Sequence, residues 1–212
     1  MLPSSEKSQV EPQLQLGHIE ALKQGTAKYP IDRCVMKIAS IPAGTMSLNK
    51  DLIFLGQLPK RTILCLVSNT SFNGSYETNP FNYQNYGITS LVLNVRGEQV
   101  PAKPLKTDFT AGGGRSCIMA YYSLFTGTNK MGQDQGNGIT RDEYPEGYTI
   151  FAFDLTPDES ASDYHLNLIQ EGKIGLEIQF RQALTETVSV LIYAEYDNVI
   201  EIDRDRNVLT DF

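Results

Sequence analysis

Gly172–Asp203 reads GKIGLEIQFRQALTETVSVLIYAEYDNVIEID. In its first half Ile174, Leu176, Ile178 and Phe180 alternate with Gly175, Glu177 and Gln179. That period of two makes a strand with one apolar and one polar face. In its second half Val188, Val190, Ile192 and Ala194 share one face, while Ser189, Leu191, Tyr193 and Glu195 leave the other only half polar. A strand of the second kind suits a layer packed on two sides, such as one sheet of a sandwich. The intervening RQALTE is shorter than the crossover that parallel neighbours need, so an antiparallel hairpin is expected. The domain this hairpin would nucleate is all-β.

Composition supports that class. The 212 residues make one large sandwich or two small domains, and a 41% hydrophobic content can build a real core. Strand formers are plentiful, with 11 Tyr and 9 Phe. The 25 acidic and 18 basic side chains leave a net charge of −7. Direct contact with nucleic-acid phosphates needs a basic footprint, so that role is disfavoured. No stretch approaches the roughly 18 continuous apolar residues of a membrane span. The opening MLPSSEKSQVEPQ lacks the apolar segment of a signal peptide. Cys34, Cys65 and Cys117 are an odd number in apolar contexts and read as buried, reduced thiols. Together these features point to cytosolic synthesis, so the sequons at Asn69 and Asn73 carry little weight.

Working outward, residues 1–30 form a polar tail or linker in which only His18–Lys23 hints at a helical turn, and 31–212 form a single jelly-roll domain. Strands are expected at Ile31–Ile41, Thr62–Val67, Ile88–Val95 and Tyr148–Leu155, with a turn at Arg96-Gly97-Glu98 leading into QVPAKPL. One short helix is expected over Ser116–Phe125, from the spacing of Ile118, Met119, Tyr122 and Phe125, with Gly127 as its C-cap. Counting the runs gives about eight strands with long alternate loops, an antiparallel eight-stranded jelly-roll sandwich with one inserted helix.

Chemistry is sparse. The two histidines, His18 and His165, lie in the tail and in a connection, whereas an enzymatic jelly roll needs histidines and carboxylates on its strands. No G-x-S-x-G surrounds any serine, and His165 is the one base available for a nucleophile. Ala111–Ser116 (AGGGRS) loosely resembles an anion-binding nest but lacks the lysine and spacing of a P-loop. Asp197, Glu201, Asp203 and Asp205 interleave with Arg204 and Arg206 and read as a self-paired face rather than a calcium site. Asp134, Asn137 and Asp142 are a weaker calcium candidate still. No enzyme activity, metal or cofactor is expected.

The best functional candidate is the long Asn- and Tyr-rich loop after Val67. Tyr76, Asn79, Phe81, Tyr83 and Tyr86 are its candidate inter-subunit contacts, since large amphipathic side chains are enriched at interface anchors. The same aromatics could instead fold back and plug one end of the sandwich. A lone glycan-binding module, stacking sugars on this loop, is the alternative function.

Seven segments occur in fixed order: IFLGQLPKR (53–61), NGSYETNPFNYQNY (73–86), GEQVPAKPL (97–105), SLFTGT (123–128), QGNGI (135–139), YPEGYTIFAFDLTPD (144–158) and YAEYDNVIEIDRDRNV (193–208). Together they resemble the major capsid protein of Polinton (Maverick) elements and adintovirus-like relatives, over about residues 17 to 212. The resemblance implies a double jelly-roll protein that trimerises into a pseudo-hexagonal capsomer of an icosahedral shell. It also implies a virion location, with synthesis in the host cytoplasm and nuclear assembly left open. The chain has the length of one roll and matches the family's C-terminal portion, so a fragment or processed product is expected. Its partners would be itself, the missing N-terminal roll, and penton or minor capsid proteins.

Overall fold

The computed structural model describes residues 12–110, 117–162 and 167–210. The first eleven residues of the tail, the nest-like Ala111–Ser116 and the candidate base His165 lie outside the described residues.

In chain order the elements are α1 (Pro12–Gln24), β1 (Ala27–Ile41), β2 (Ser47–Gln57), β3 (Arg61–Ser68), α2 (Asn69–Asn73), β4 (Ile88–Val95) and β5 (Glu98–Lys106). They are followed by α3 (Ile118–Gly127), β6 (Ile150–Asp154), β7 (Glu171–Phe180), β8 (Val188–Ile202) and β9 (Val208–Thr210). The strands form two sheets, ordered β1-β8-β3-β6 and β2-β7-β4-β5, with β9 added to β8. The register pairs are antiparallel, as between Leu64 and Ile192 or Leu93 and Leu176. Each connection between the first eight strands changes sheet, except the one joining β4 to β5. That exception is a two-residue hairpin, Arg96-Gly97, closed by the Val95–Glu98 pair. Both turn residues have positive φ, 55° and 91°, the backbone of a turn whose twist matches its flanking strands. Rolling the paired strands up from this hairpin gives the jelly-roll order.

The expected β7–β8 hairpin is not formed. β7 lies between β2 and β4, and β8 lies next to β3 in the other sheet. A short loop excludes a parallel crossover, but it can equally arch across the ~10 Å between sheets. Leu184, buried within that arch, anchors it, and its amide and carbonyl bond to Thr45 and Gly44.

The chain divides into two compact units, Arg33–Asp197 and the combination of Met1–Asp32 with Asn198–Phe212. In Arg33–Asp197 the core is one cluster between the sheets. Ile174, Leu176, Ile178 and Phe180 of β7 contribute one wall, and Val188, Val190, Ile192, Ala194 and Tyr196 of β8 another, all nearly inaccessible. Each large branched or aromatic side chain so buried contributes about 1.5–3 kcal/mol. In the other unit α1 is a full helix where the residues suggested a single turn, and β9 pairs with β8 through Ile200–Thr210 and Ile202–Val208.

Sheet edges are blunted in different ways. β5 carries Pro101 and Pro104, and β2 bulges between Lys50 and Phe54. The bulge sits over Gly175, where a Cβ would come within 2.9 Å of the Lys50 carbonyl. β6 is only five residues long, and beside it Tyr83 makes an isolated bridge to Tyr148. On β1, Arg33 lies 4.6 Å over the Tyr196 ring and Lys37 4.9 Å over that of Phe54, covering the core with their stems.

The face of α3 differs from the expected one. Cys117, Ala120, Leu124 and Gly127 are buried, whereas Ile118, Met119 and Tyr122 face outward. Seven of the eight residues IMAYYSLF are apolar or aromatic, so spacing alone cannot choose the buried stripe. Close approach to β6 chooses it: a Cβ on Gly127 would lie 2.6 Å from the Ala152 carbonyl carbon. Replacing a helical glycine by alanine gains at most about 1 kcal/mol of propensity, while forcing atoms into a packed core costs about 1–3 kcal/mol. Gly127→Ala is therefore expected to lower stability by roughly 1–2 kcal/mol in urea unfolding; a more stable variant would contradict this packing.

Candidate interaction surface

The loop from Asn69 to Gly87 begins as a single helical turn. It is fixed at its start by Asn69, whose amide bonds to Thr187 O (3.0 Å) and whose side-chain oxygen accepts from Ser189 Oγ (3.0 Å). Its return is equally tied. Tyr83 N donates to Gly147 O (2.8 Å), Thr149 N donates to Tyr83 O (3.0 Å) and Asn85 Nδ2 donates to Pro145 O (2.9 Å). Tyr86 donates its hydroxyl to Glu186 Oε1 (3.3 Å). Burial, then the Glu186 carboxylate, pushes the Tyr86 phenol up, and burial does the same for Tyr83. Both phenols stay neutral donors or acceptors at ordinary pH.

Between these anchors the tip projects. Asn79 Oδ1 accepts from Phe81 N (2.9 Å) and Ser75 Oγ from Glu77 N (3.2 Å), local side-chain turns that hold the backbone without a core. Tyr76, Asn79 and Phe81 are exposed, while Tyr83 and Tyr86 are half-buried. The five candidate residues thus fall into an outward group and a group that folds back onto the domain.

A second surface, which residue patterning did not mark, is the outer face of one sheet. The outer face of the β1-β8-β3-β6 sheet carries Met36 and Ile38, both exposed, with half-buried Leu191, Tyr193, Ile63 and Cys65. This is the half-polar face of β8 continued across its sheet. Cys34, expected to be buried, is also exposed there and contacts the Tyr193 hydroxyl at 2.7 Å. It sits at an outward position of β1, which the apolar sequence around it could not reveal. Cys117 is buried and Cys65 partly so, and all three thiols are free.

The carboxylates near the C-terminus have separate partners. Asp197 and Glu195 meet Lys60 at 3.0 and 3.3 Å, and Glu195 also meets Arg61 at 3.3 Å, with all four side chains largely buried. This cluster borders a cavity of about 40 Å³, room for a water or two. Glu201 pairs with Lys28, Asp203 accepts the turn amides of Asp205 and Asn207, and Asp205 meets Arg204. Asn137 Oδ1 accepts from Thr128 Oγ1. Among the described residues no three or more His, Cys, Asp or Glu side chains converge as metal ligands. No helix of the described residues is long and apolar enough to cross a membrane. In Met1–Asp32 with Asn198–Phe212, His18, Leu22, Tyr29, Ile202 and Arg206 line a cleft of about 490 Å³.

This geometry can be set beside known proteins. No family model matches the sequence. An uncharacterized protein of Caenorhabditis elegans is 28% identical over 194 residues, covering 87% of this chain and 44% of the relative. Among solved structures, PBCV-1 VP54 fitted into a reconstruction of the virophage Sputnik superimposes with a TM-score of 0.57 at 11% identity, over 96% of this chain and 55% of that one. A chain of the Sputnik virophage cryo-EM structure gives 0.51 at 17%, over 88% and 39%. The mavirus major capsid protein gives 0.49 at 10%, over 100% and 44%. The jelly-roll fold of this chain is shared with the PBCV-1 VP54 and Sputnik structures, and the chain spans about half the length or less of the proteins it matches.

Two outcomes follow. Thiol titration of the native protein is expected to modify Cys34 quickly and the other two only after unfolding, since burial pushes Cys65 from 9.0 up to about 12. Its neutral thiol keeps full stability below pH 9, and that contribution is lost as pH rises toward 12 because the unfolded chain deprotonates first. Cys65→Ala should flatten that alkaline slope, and an unchanged slope would contradict the assignment. Separately, Met36→Glu with Ile38→Glu should reduce binding of an apolar dye while shifting stability by no more than ~0.5 kcal/mol, as for exposed positions. A large loss of stability would show that these side chains are core.

Proposed function

We propose that this chain is a structural subunit of a virus-like shell, namely the C-terminal jelly roll of a double jelly-roll major capsid protein of the Polinton (Maverick) and adintovirus-like kind. The observation that carries this reading is the strand order β1-β8-β3-β6 over β2-β7-β4-β5, together with superposition over 88–96% of the chain on virus proteins about twice its length. The seven ordered sequence segments supply the lineage. In this reading residues 31–212 are the jelly-roll domain behind a linker, and the role is structural rather than catalytic.

Tyr76, Asn79 and Phe81, supported from behind by Tyr83 and Tyr86, serve as contacts between subunits in a trimeric capsomer and icosahedral shell. The apolar outer face around Met36 and Ile38 suits a further roll or a neighbouring capsid subunit, because exposed apolar patches mark interaction sites. The net charge of −7 suits a wall that leaves the genome to other proteins in the virion.

The test is density-gradient fractionation and electron microscopy of cells expressing the full polypeptide that contains this chain. Closed particles carrying the chain are expected. Recovery of the chain in soluble fractions alone, at every expression level, would overturn the proposal.

A further inference from the structure

The cleft in Met1–Asp32 with Asn198–Phe212 has a mixed lining, with Leu22, Ala27, Ile202 and the Tyr29 ring beside the polar His18 and Thr26. Its volume of about 490 Å³ lies in the range that encloses a ligand or a large side chain. Arg206 stands at its wall on a backbone with φ of 64°, a conformation that favours glycine or asparagine. The turn imposes it: Asp203 accepts from the amides of Asp205 and Asn207, and Arg206 N donates to Asp203 O. Among the described residues the Arg206 guanidinium has no ion pair or hydrogen bond, although Asp203 and Asp205 are its near neighbours in sequence. An unpaired cation therefore borders a cleft that is apolar over most of its lining.

The complement of this arrangement is present on the same chain. Tyr76 is fully exposed at the loop tip, and the carboxylate of Glu77 beside it likewise has no partner among the described residues. We propose that the cleft receives Tyr76 and Glu77 of a second copy of this chain, the ring on Leu22 and Ile202 and the carboxylate on Arg206. This contact rests on the self-association proposed above and names its partner surfaces. Copies bearing −7 repel on average, so a local opposite-charge pair sets register while the buried ring supplies adhesion. A knob from one copy in a cleft of the next is a heterologous contact, which closes into rings or runs on as filaments.

The test has two arms. A fluorescein-labelled peptide spanning Asn73–Asn82 is titrated with the full chain by anisotropy, and light scattering follows the mass of the wild type, Glu77→Arg, Arg206→Glu and the double variant. Saturable peptide binding is expected, weakened roughly tenfold or more by Arg206→Glu and regained by a peptide carrying Glu77→Arg. Each single variant should lose self-association, and the double variant should recover it. Absence of saturable binding, or single variants that associate like the wild type, overturns the contact. Failure of peptide binding alongside particles containing the chain removes this contact and leaves the shell reading standing. Peptide binding without particles does the opposite.

Discussion

Everything in Arg33–Asp197 depends on two apolar stripes facing each other across the sandwich. β7 presents Ile174, Leu176, Ile178 and Phe180, and β8 presents Val188, Val190, Ile192, Ala194 and Tyr196. Each strand is the second in its sheet, with partners on both sides, so its backbone groups are satisfied laterally while its side chains meet across the gap. Seven residues of arch join them. That choice sends every later pairing to a definite sheet, because β3 must then take the free side of β8 and β4 that of β7.

The polar groups adapt to this core and do not compete with it. Lys60 and Arg61, just before and at the start of β3, meet Glu195 and Asp197 on the outward side of β8, so largely buried charges are paired. Three of the four sheet edges, β5, β2 and β6, are interrupted by prolines, a bulge or short length. Among the described residues, exposed apolar side chains gather on the Met36–Ile38 face, the outward side of α3 and the Tyr76–Phe81 tip. Interrupted edges oppose uncontrolled strand addition, and exposed apolar side chains are available for contact.

Much of the fold could be read from residues because strand periodicity and turn chemistry are local. β4 has the bounds its pattern indicated, since Arg96-Gly97 is an unambiguous hairpin turn. Two features escaped for physical reasons. Sheet membership of β7 and β8 is a tertiary choice that loop length does not determine, and the buried side of α3 depends on Gly127 meeting Ala152. In the candidate surface, sequence marked the aromatic loop but could not separate Tyr76 and Phe81 from Tyr83 and Tyr86. That division follows from bonds to Gly147 and Glu186, far away in the chain. Cys34 reads as buried in sequence and is exposed, with Met36 beside it, because both lie at outward positions of the edge strand β1.

Interstrand backbone nuclear Overhauser effects in isotopically labelled protein test the central arrangement most directly. The account predicts ladders joining Arg61–Ser68 to Val188–Glu195 and Ile88–Val95 to Ile174–Phe180, with none between the two halves of Gly172–Asp203. A ladder running from Ile174–Phe180 to Val188–Tyr196 would restore the simple hairpin and contradict the jelly-roll order on which the capsid reading stands.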